Sequence, residues 1–160
     1  PYMKLFTLMG QDEIAGFEES VKSEPQKREA QRALAQTVTE MVHGPNGVNT
    51  AQRATGVLFG GEMHGFSASE LLDIFADVPS IQMQKDEFAG EGLPIAQVLA
   101  GSGAAKSNGE ARRLIEGGGV YLNNQRVSDA RSRVTLEQAI DGEVIVLRRG
   151  ARNYFMVQLA

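Results

Sequence analysis

The stretch Ala100-Gly101-Ser102-Gly103-Ala104-Ala105-Lys106-Ser107 is where residue types and spacing first suggest chemistry, because a glycine-rich loop ending in Lys-Ser is how many proteins cradle nucleotide phosphates. The required G-x-x-x-x-G-K-[ST] pattern fails at both glycine positions, which are Ala100 and Ala105, so no nucleotide site of that type is expected. The two histidines, His43 and His64, lack the further donors a zinc site needs, and no nucleophile is placed to pair with either. His43 falls in a last helical turn, where partial positive charge complements the helix dipole. The adjacent carboxylates Glu18 with Glu19 and Asp86 with Glu87 read as solvated charge. There is no Cys, which excludes disulfides and thiolate metal or redox sites. No catalytic residue and no metal ligand is therefore assigned.

A second kind of chemistry is visible in the basic residues. The 160 residues carry a net charge of −4, which taken whole argues against a phosphate-bearing partner. The charge is unevenly placed. Residues 1–91 hold 7 basic and 14 acidic side chains, a balance of −7, whereas residues 92–160 hold 9 basic and 6 acidic, a balance of +3. Eight of those nine cations are Arg, whose planar fork suits bidentate phosphate contacts and stacking on bases. Arg148, Arg149 and Arg152 crowd one short segment beside Tyr154 and Phe155, a combination that single-stranded or looped RNA exploits. Strand alternation leaves only one of those two aromatics facing outward.

The elements that must position these residues are legible in part. A helix is predicted over 12–21 from Ile14, Phe17 and Val21. Another follows Pro25, a tolerated first-turn residue, with Ala30, Leu34, Val38, Met41 and Val42 on one stripe and a stop before Gly44. Arg28 and Arg32 face outward on it, one turn apart. Asn49 or Thr50 starts a further helix ended by Gly60 and Gly61, and Ser67 with Glu70 forms a capping box ahead of Leu71 to Phe75. Residues 77–91 lose the period and read as a linker with one short strand at 81–83. Pro94 opens an apolar stretch, Ile95 to Leu99. Ser107 and Glu110 form a second capping box, with Ala111, Leu114 and Ile115 inward and Arg112 and Arg113 off the core at about 100° per residue. Gly117 to Gly119 end that helix. Val120 to Leu122, an Asn123-Asn124 turn, Val127, and a hairpin of 143–148 with 153–159 around Gly150 complete the chain. No run of residues reaches the ~20 apolar positions a membrane span needs, so a soluble, cytoplasmic protein is expected.

The segment Ser107-Asn108-Gly109-Glu110-Ala111-Arg112-Arg113-Leu114-Ile115, followed by Gly118-Gly119-Val120-Tyr121-Leu122-Asn123-Asn124 and Val127, resembles the signature of the S-four-like RNA-binding module, named after a small-subunit ribosomal protein. Upstream, Tyr2-Met3-Lys4-Leu5-Phe6-Thr7 and Pro25-Gln26-Lys27-Arg28-Glu29-Ala30-Gln31, with Leu34-Ala35, Val38-Thr39 and Val42-His43-Gly44, resemble the region after the catalytic domain of bacterial-type tyrosyl-tRNA synthetases. The tail from Val146 to Tyr154 resembles the end of the same family. These stretches cover nearly the whole chain in the family's order.

The resemblance implies an α+β chain: a helical anticodon-binding domain over 1–76, a linker over 77–91, and an S-four-like domain over 92–160 with two or three helices on a small, mostly antiparallel sheet. It implies contact with the anticodon arm and the long variable arm of tyrosine tRNA. Tyrosine activation, with ATP and Mg, belongs in the family to an N-terminal domain whose H-x-G-H and K-M-S-K-S-like motifs occur nowhere in this sequence. The chain alone is thus expected to be non-catalytic, cofactor-free and monomeric, its parent a homodimeric class I ligase. Residue by residue, the resemblance assigns Lys106, Ser107, Arg112 and Arg113 to phosphate contacts at a helix start, aided by its amides. Asn123, Asn124 and Arg126 match the module's turn. Arg149, Arg152 and Asn153 match the basic tail, although Ala151 and Asn153 stand where the family often has Lys. Lys27 and Arg28 are candidates in the helical domain. Two other readings stay open: an S-four-like module of a ribosome-associated or RNA-modifying protein, against which the upstream match speaks, and a protein-interaction module whose Arg residues only solubilise it.

Overall fold

The early helical signals become α1 (Tyr2–Phe6), α2 (Gln11–Ser23) and α3 (Glu29–Leu58) in a computed structural model that describes residues 2–160. Pro25 opens a 3-10 turn, Pro25–Lys27, rather than α3 itself. Arg28 takes a left-handed conformation (φ 53°) that closes this turn, so α3 begins at Glu29 and Arg28 does not share its helical face with Arg32. The expected stop at Gly44 is a real break, with φ 70° and ψ 178° inside α3. Helix resumes at Pro45 rather than at Asn49 or Thr50, because proline supplies a preset φ where the first-turn N–H is unneeded.

Contacts divide the chain into two units, one ending at Arg53 and one spanning Ala54–Ala160. In the first, Met3, Ile14 and Val48 are buried. The second is built on a five-stranded sheet made of β1 (Ser80–Met83), β3 (Val120–Leu122), β4 (Gln125–Arg126), β6 (Val144–Arg149) and β7 (Asn153–Leu159), in spatial order β1-β7-β6-β3-β4. β1 runs parallel to β7 and the remaining pairs are antiparallel. A separate ribbon pairs β2 (Leu93–Pro94) with β5 (Arg133–Val134).

Both faces of this sheet are covered. On one, α5 (Ile95–Gly101) and α6 (Asn108–Glu116) pack Ile95, Val98, Leu99, Ala111 and Ile115 against Val120, Leu122, Ile145, Leu147 and Val157. On the other, Val57, Met63, Phe75 and α4 (Ala68–Ile74), through Ala68 and Leu71, pack against Val144, Val146, Tyr154 and Met156. Fully burying side chains such as Leu71 and Phe75 contributes about 1.5–3 kcal/mol each. The capping box at the start of α4 forms as the sequence requires: Glu70 N–H donates to Ser67 Oγ at 3.2 Å, and Ser67 N–H donates to the Glu70 carboxylate at 2.8 Å.

The packing places residues differently from the boundary expected at 76. Residues 57–75 form one layer of the second unit, because the apolar faces of β6 and β7 that carry Val144, Val146 and Met156 need a cover. Nor is 77–91 a free linker: it holds β1, and the 3-10 turn Lys85–Phe88 buries Phe88 completely in the α5/α6 core.

Candidate nucleic-acid interface

Helix α6 is set by its cap. Ser107 Oγ accepts the Glu110 N–H at 3.2 Å, while the Glu110 carboxylate accepts the Lys106 N–H at 2.7 Å. With that start, the 3.6-residue period turns Ala111 and Ile115 into the core and leaves Arg112 and Arg113 exposed, the latter donating only to Gly109 O at 3.3 Å. Beyond the end of the helix at Glu116, Gly118 has φ +70°. A Cβ there would occupy the space taken by the Arg126 guanidinium, so this glycine lets Arg126 lie over the end of α6.

The β6–β7 hairpin tip is tied to both ends of the same helix. Gly150 N–H donates to Gly119 O at 2.7 Å, and Arg149 Nη1 donates to Ala104 O at 2.8 Å. Lys106, Arg112, Arg113, Arg126 and Arg152 are all exposed, and among the described residues none of them forms an ion pair. Five unneutralised cations thus lie along α6, past its end and on the tip joined to it. That array attracts polyanions, and nothing in it resembles a reaction centre.

Other predicted residues have internal roles. Asn123 (φ 48°) donates through Nδ2 to Gln138 O at 2.7 Å and accepts the Val146 N–H through Oδ1 at 2.9 Å. Asn124 (φ 62°) donates to Val57 O at 2.9 Å and Gly61 O at 2.8 Å, and its Oδ1 accepts from Arg148 Nε at 2.9 Å. These two amides lock the turn, the sheet and the segment after residue 57 together, which leaves them little capacity for an external ligand. Arg149 is half-buried and already bonded, and Asn153, its register partner, is exposed. Tyr154 and Phe155 do alternate across the sheet, but both faces are covered, so Tyr154 is buried and Phe155 packs partly against the α5 and α6 core.

In the first unit, Lys27 and Arg28 are exposed, and Lys27 pairs with Glu24 at 2.7 Å, an exposed pair of small energetic weight. The Arg32 guanidinium donates to Lys27 O. The loop that imitates a phosphate cradle is packed instead: Ala104 and Ala105 are buried, and Ala105 N–H donates to Leu99 O. A cleft of about 730 Å³ in the second unit is lined by Glu62, His64, Gln125, Glu137 and Gln138 among others, with no cation in its lining. Among the described residues no group of three His, Asp or Glu could hold a metal ion, and no helix is long and apolar enough to cross a membrane.

Phe59 emerges only from the structure, and Arg148, expected among the cations of the basic tip, is buried instead. Arg148 is 8% exposed, its guanidinium carbon 3.6 Å from the Tyr121 ring centroid, and Nη1 donates to Gly150 O at 2.8 Å. Its sequence signal is its place on the strand face of Val144 and Val146, two residues beyond the latter. Phe59, 71% exposed before Gly60-Gly61, has the Arg152 guanidinium carbon 5.9 Å from its ring centroid.

A family profile described as the tyrosine–tRNA ligase SYY-like C-terminal domain matches residues 70–157, more than half of the chain. The chain belongs to this family. The tyrosine–tRNA ligase of Roseiflexus castenholzii is 42% identical over 158 residues, covering 99% of this chain and 37% of that protein. That of Rhodopirellula baltica is 46% identical over 142 residues, 89% of this chain and 32% of its own length. The chain therefore spans about a third of these ligases. A solution structure of a tyrosyl-tRNA synthetase C-terminal domain is 31% identical, with a TM-score of 0.50 over 64% of this chain and 99% of that one. The α+β architecture is that of a tyrosine–tRNA ligase C-terminal domain.

Proposed function

We propose that this chain is the tRNA-binding portion of a tyrosine–tRNA ligase, holding the anticodon arm and the long variable arm of tyrosine tRNA, while tyrosine activation with ATP and Mg is carried by another part of the enzyme. The observation that carries the reading is the exposed, unpaired set Lys106, Arg112, Arg113, Arg126 and Arg152 on α6 and the hairpin tip, in a domain of this family. Phosphate contacts of this kind release counterions and fix register. Of the other expected contacts, Lys27 and Arg28 remain candidates for the anticodon arm. Asn123 and Asn124 act by shaping the turn that carries Arg126.

The test is binding of tyrosine tRNA by the 160-residue chain across salt concentrations, with a tRNA lacking the long variable arm as competitor. For about five neutralised phosphates, log affinity falls against log salt with a slope near −4, at ~0.7–0.9 per contact. A flat salt response contradicts RNA binding through this surface. Equal competition by the short-arm tRNA contradicts the variable-arm assignment.

A further inference from the structure

We infer that Phe59 is a stacking platform for one unpaired nucleobase of the bound RNA, with Arg152 beside it to hold that nucleotide's phosphate; this rests on the RNA-binding reading. Phe59 leaves 71% of its surface in water, an uncommon position for an aromatic ring. Its backbone is held on both sides. Phe59 N–H donates to Thr55 O at 3.1 Å, Gly61 N–H donates to Gly56 O at 2.8 Å, and the Tyr154 hydroxyl donates to Val57 O at 3.0 Å. Gly60, at φ +90°, lies beside the buried Arg148, where a Cβ would make van der Waals contact with Nη2 at 3.4 Å.

The backbone that carries the cation is anchored as well. Arg152 sits on the tip whose Gly150 is bonded to Gly119 through its N–H and to Arg148 through its carbonyl. A flat apolar ring and a guanidinium 5.9 Å apart, on two segments joined by the buried Arg148, match the two chemistries one nucleotide presents, a π-face and a phosphate. Stacking of this type tolerates every base, so the platform adds affinity rather than sequence choice. The charge beside the ring favours RNA over an apolar protein segment as its occupant.

The chain contains no Trp, so Phe59→Trp introduces a single Trp at the platform, excited selectively beside the three Tyr. Titrating the Phe59→Trp chain with tyrosine tRNA quenches its emission if a base stacks there, and it binds as tightly as the parent. Phe59→Ala binds about tenfold more weakly with an unchanged salt slope, since stacking releases no counterions. Arg152→Ala reduces the slope by roughly 0.7–0.9. Unquenched emission at saturating tRNA, or parental affinity in Phe59→Ala, overturns the platform while leaving RNA binding intact. A parent chain that fails to bind tRNA overturns both.

Discussion

Helix α6 and the Asn123-Asn124 turn flank strand β3 in sequence, and both are polar segments of the stretch that resembles the S-four-like signature, yet they direct their polar groups in opposite ways. Arg112 and Arg113 extend from α6 into solvent without a carboxylate partner. Asn123 and Asn124 turn their amides inward, to Gln138, Val146, Val57 and Gly61. Short amides in left-handed turns lie within reach of nearby backbone and satisfy it. Long guanidinium groups on a helix face are out of reach of the core and stay available. A shared motif therefore contains two kinds of polar residue, those that build the surface and those that present charge from it.

Substitutions sharpen that contrast. The largest expected effect is at Arg148, which joins both regions: Arg148→Ala removes the hydrogen bonds to Asn124 and Gly150 and the contact with Tyr121, a loss of about 3 kcal/mol. Thermal unfolding followed by circular dichroism registers this as a fall in Tm on the order of 10 °C. Asn123→Ala follows, at about 2 kcal/mol, since the buried Val146 N–H loses its side-chain acceptor and the φ of 48° becomes strained; chemical denaturation measures it. Ser107→Ala removes the α6 cap at about 1 kcal/mol in the same assay. The Arg112→Ala, Arg113→Ala double variant is expected within about 0.5 kcal/mol of the parent in stability, because both side chains are exposed. A large destabilisation there would break the contrast.

Local signals carried much of this fold. The capping box at Ser67, the N-cap at Ser107 whose Glu110 carboxylate takes the Lys106 N–H rather than that of Ser107, the glycines after α6, and the alternating apolar positions of the last hairpin each specify an element within a few residues. The division at Arg53 was not legible in the same way, because it depends on residues 57–75 meeting β6 and β7 across a long sequence separation. One clue was present: Val144-Ile145-Val146-Leu147 is a continuous apolar run, and a strand apolar on both sides needs cover on both faces. Reading it so would have recruited α4 to the sheet and placed Arg148, next on the Val144 and Val146 face, beneath that cover. For the candidate surface, exposure of the α6 cations followed from helical period alone. The inward roles of Asn123 and Asn124 required knowing which carbonyls the fold brings to them. Phe59 carried only the weak signal of an aromatic before two glycines.

The central claim is that the exposed cations of α6, and not the turn amides, carry the RNA contact. Its most direct test is the salt dependence of tyrosine tRNA binding by the Arg112→Ala, Arg113→Ala chain, measured beside the parent after both have been shown to be folded. The account predicts that the slope falls from near −4 to about −2.5, as two phosphate contacts at ~0.7–0.9 each are lost. An unchanged slope with an intact fold would contradict it.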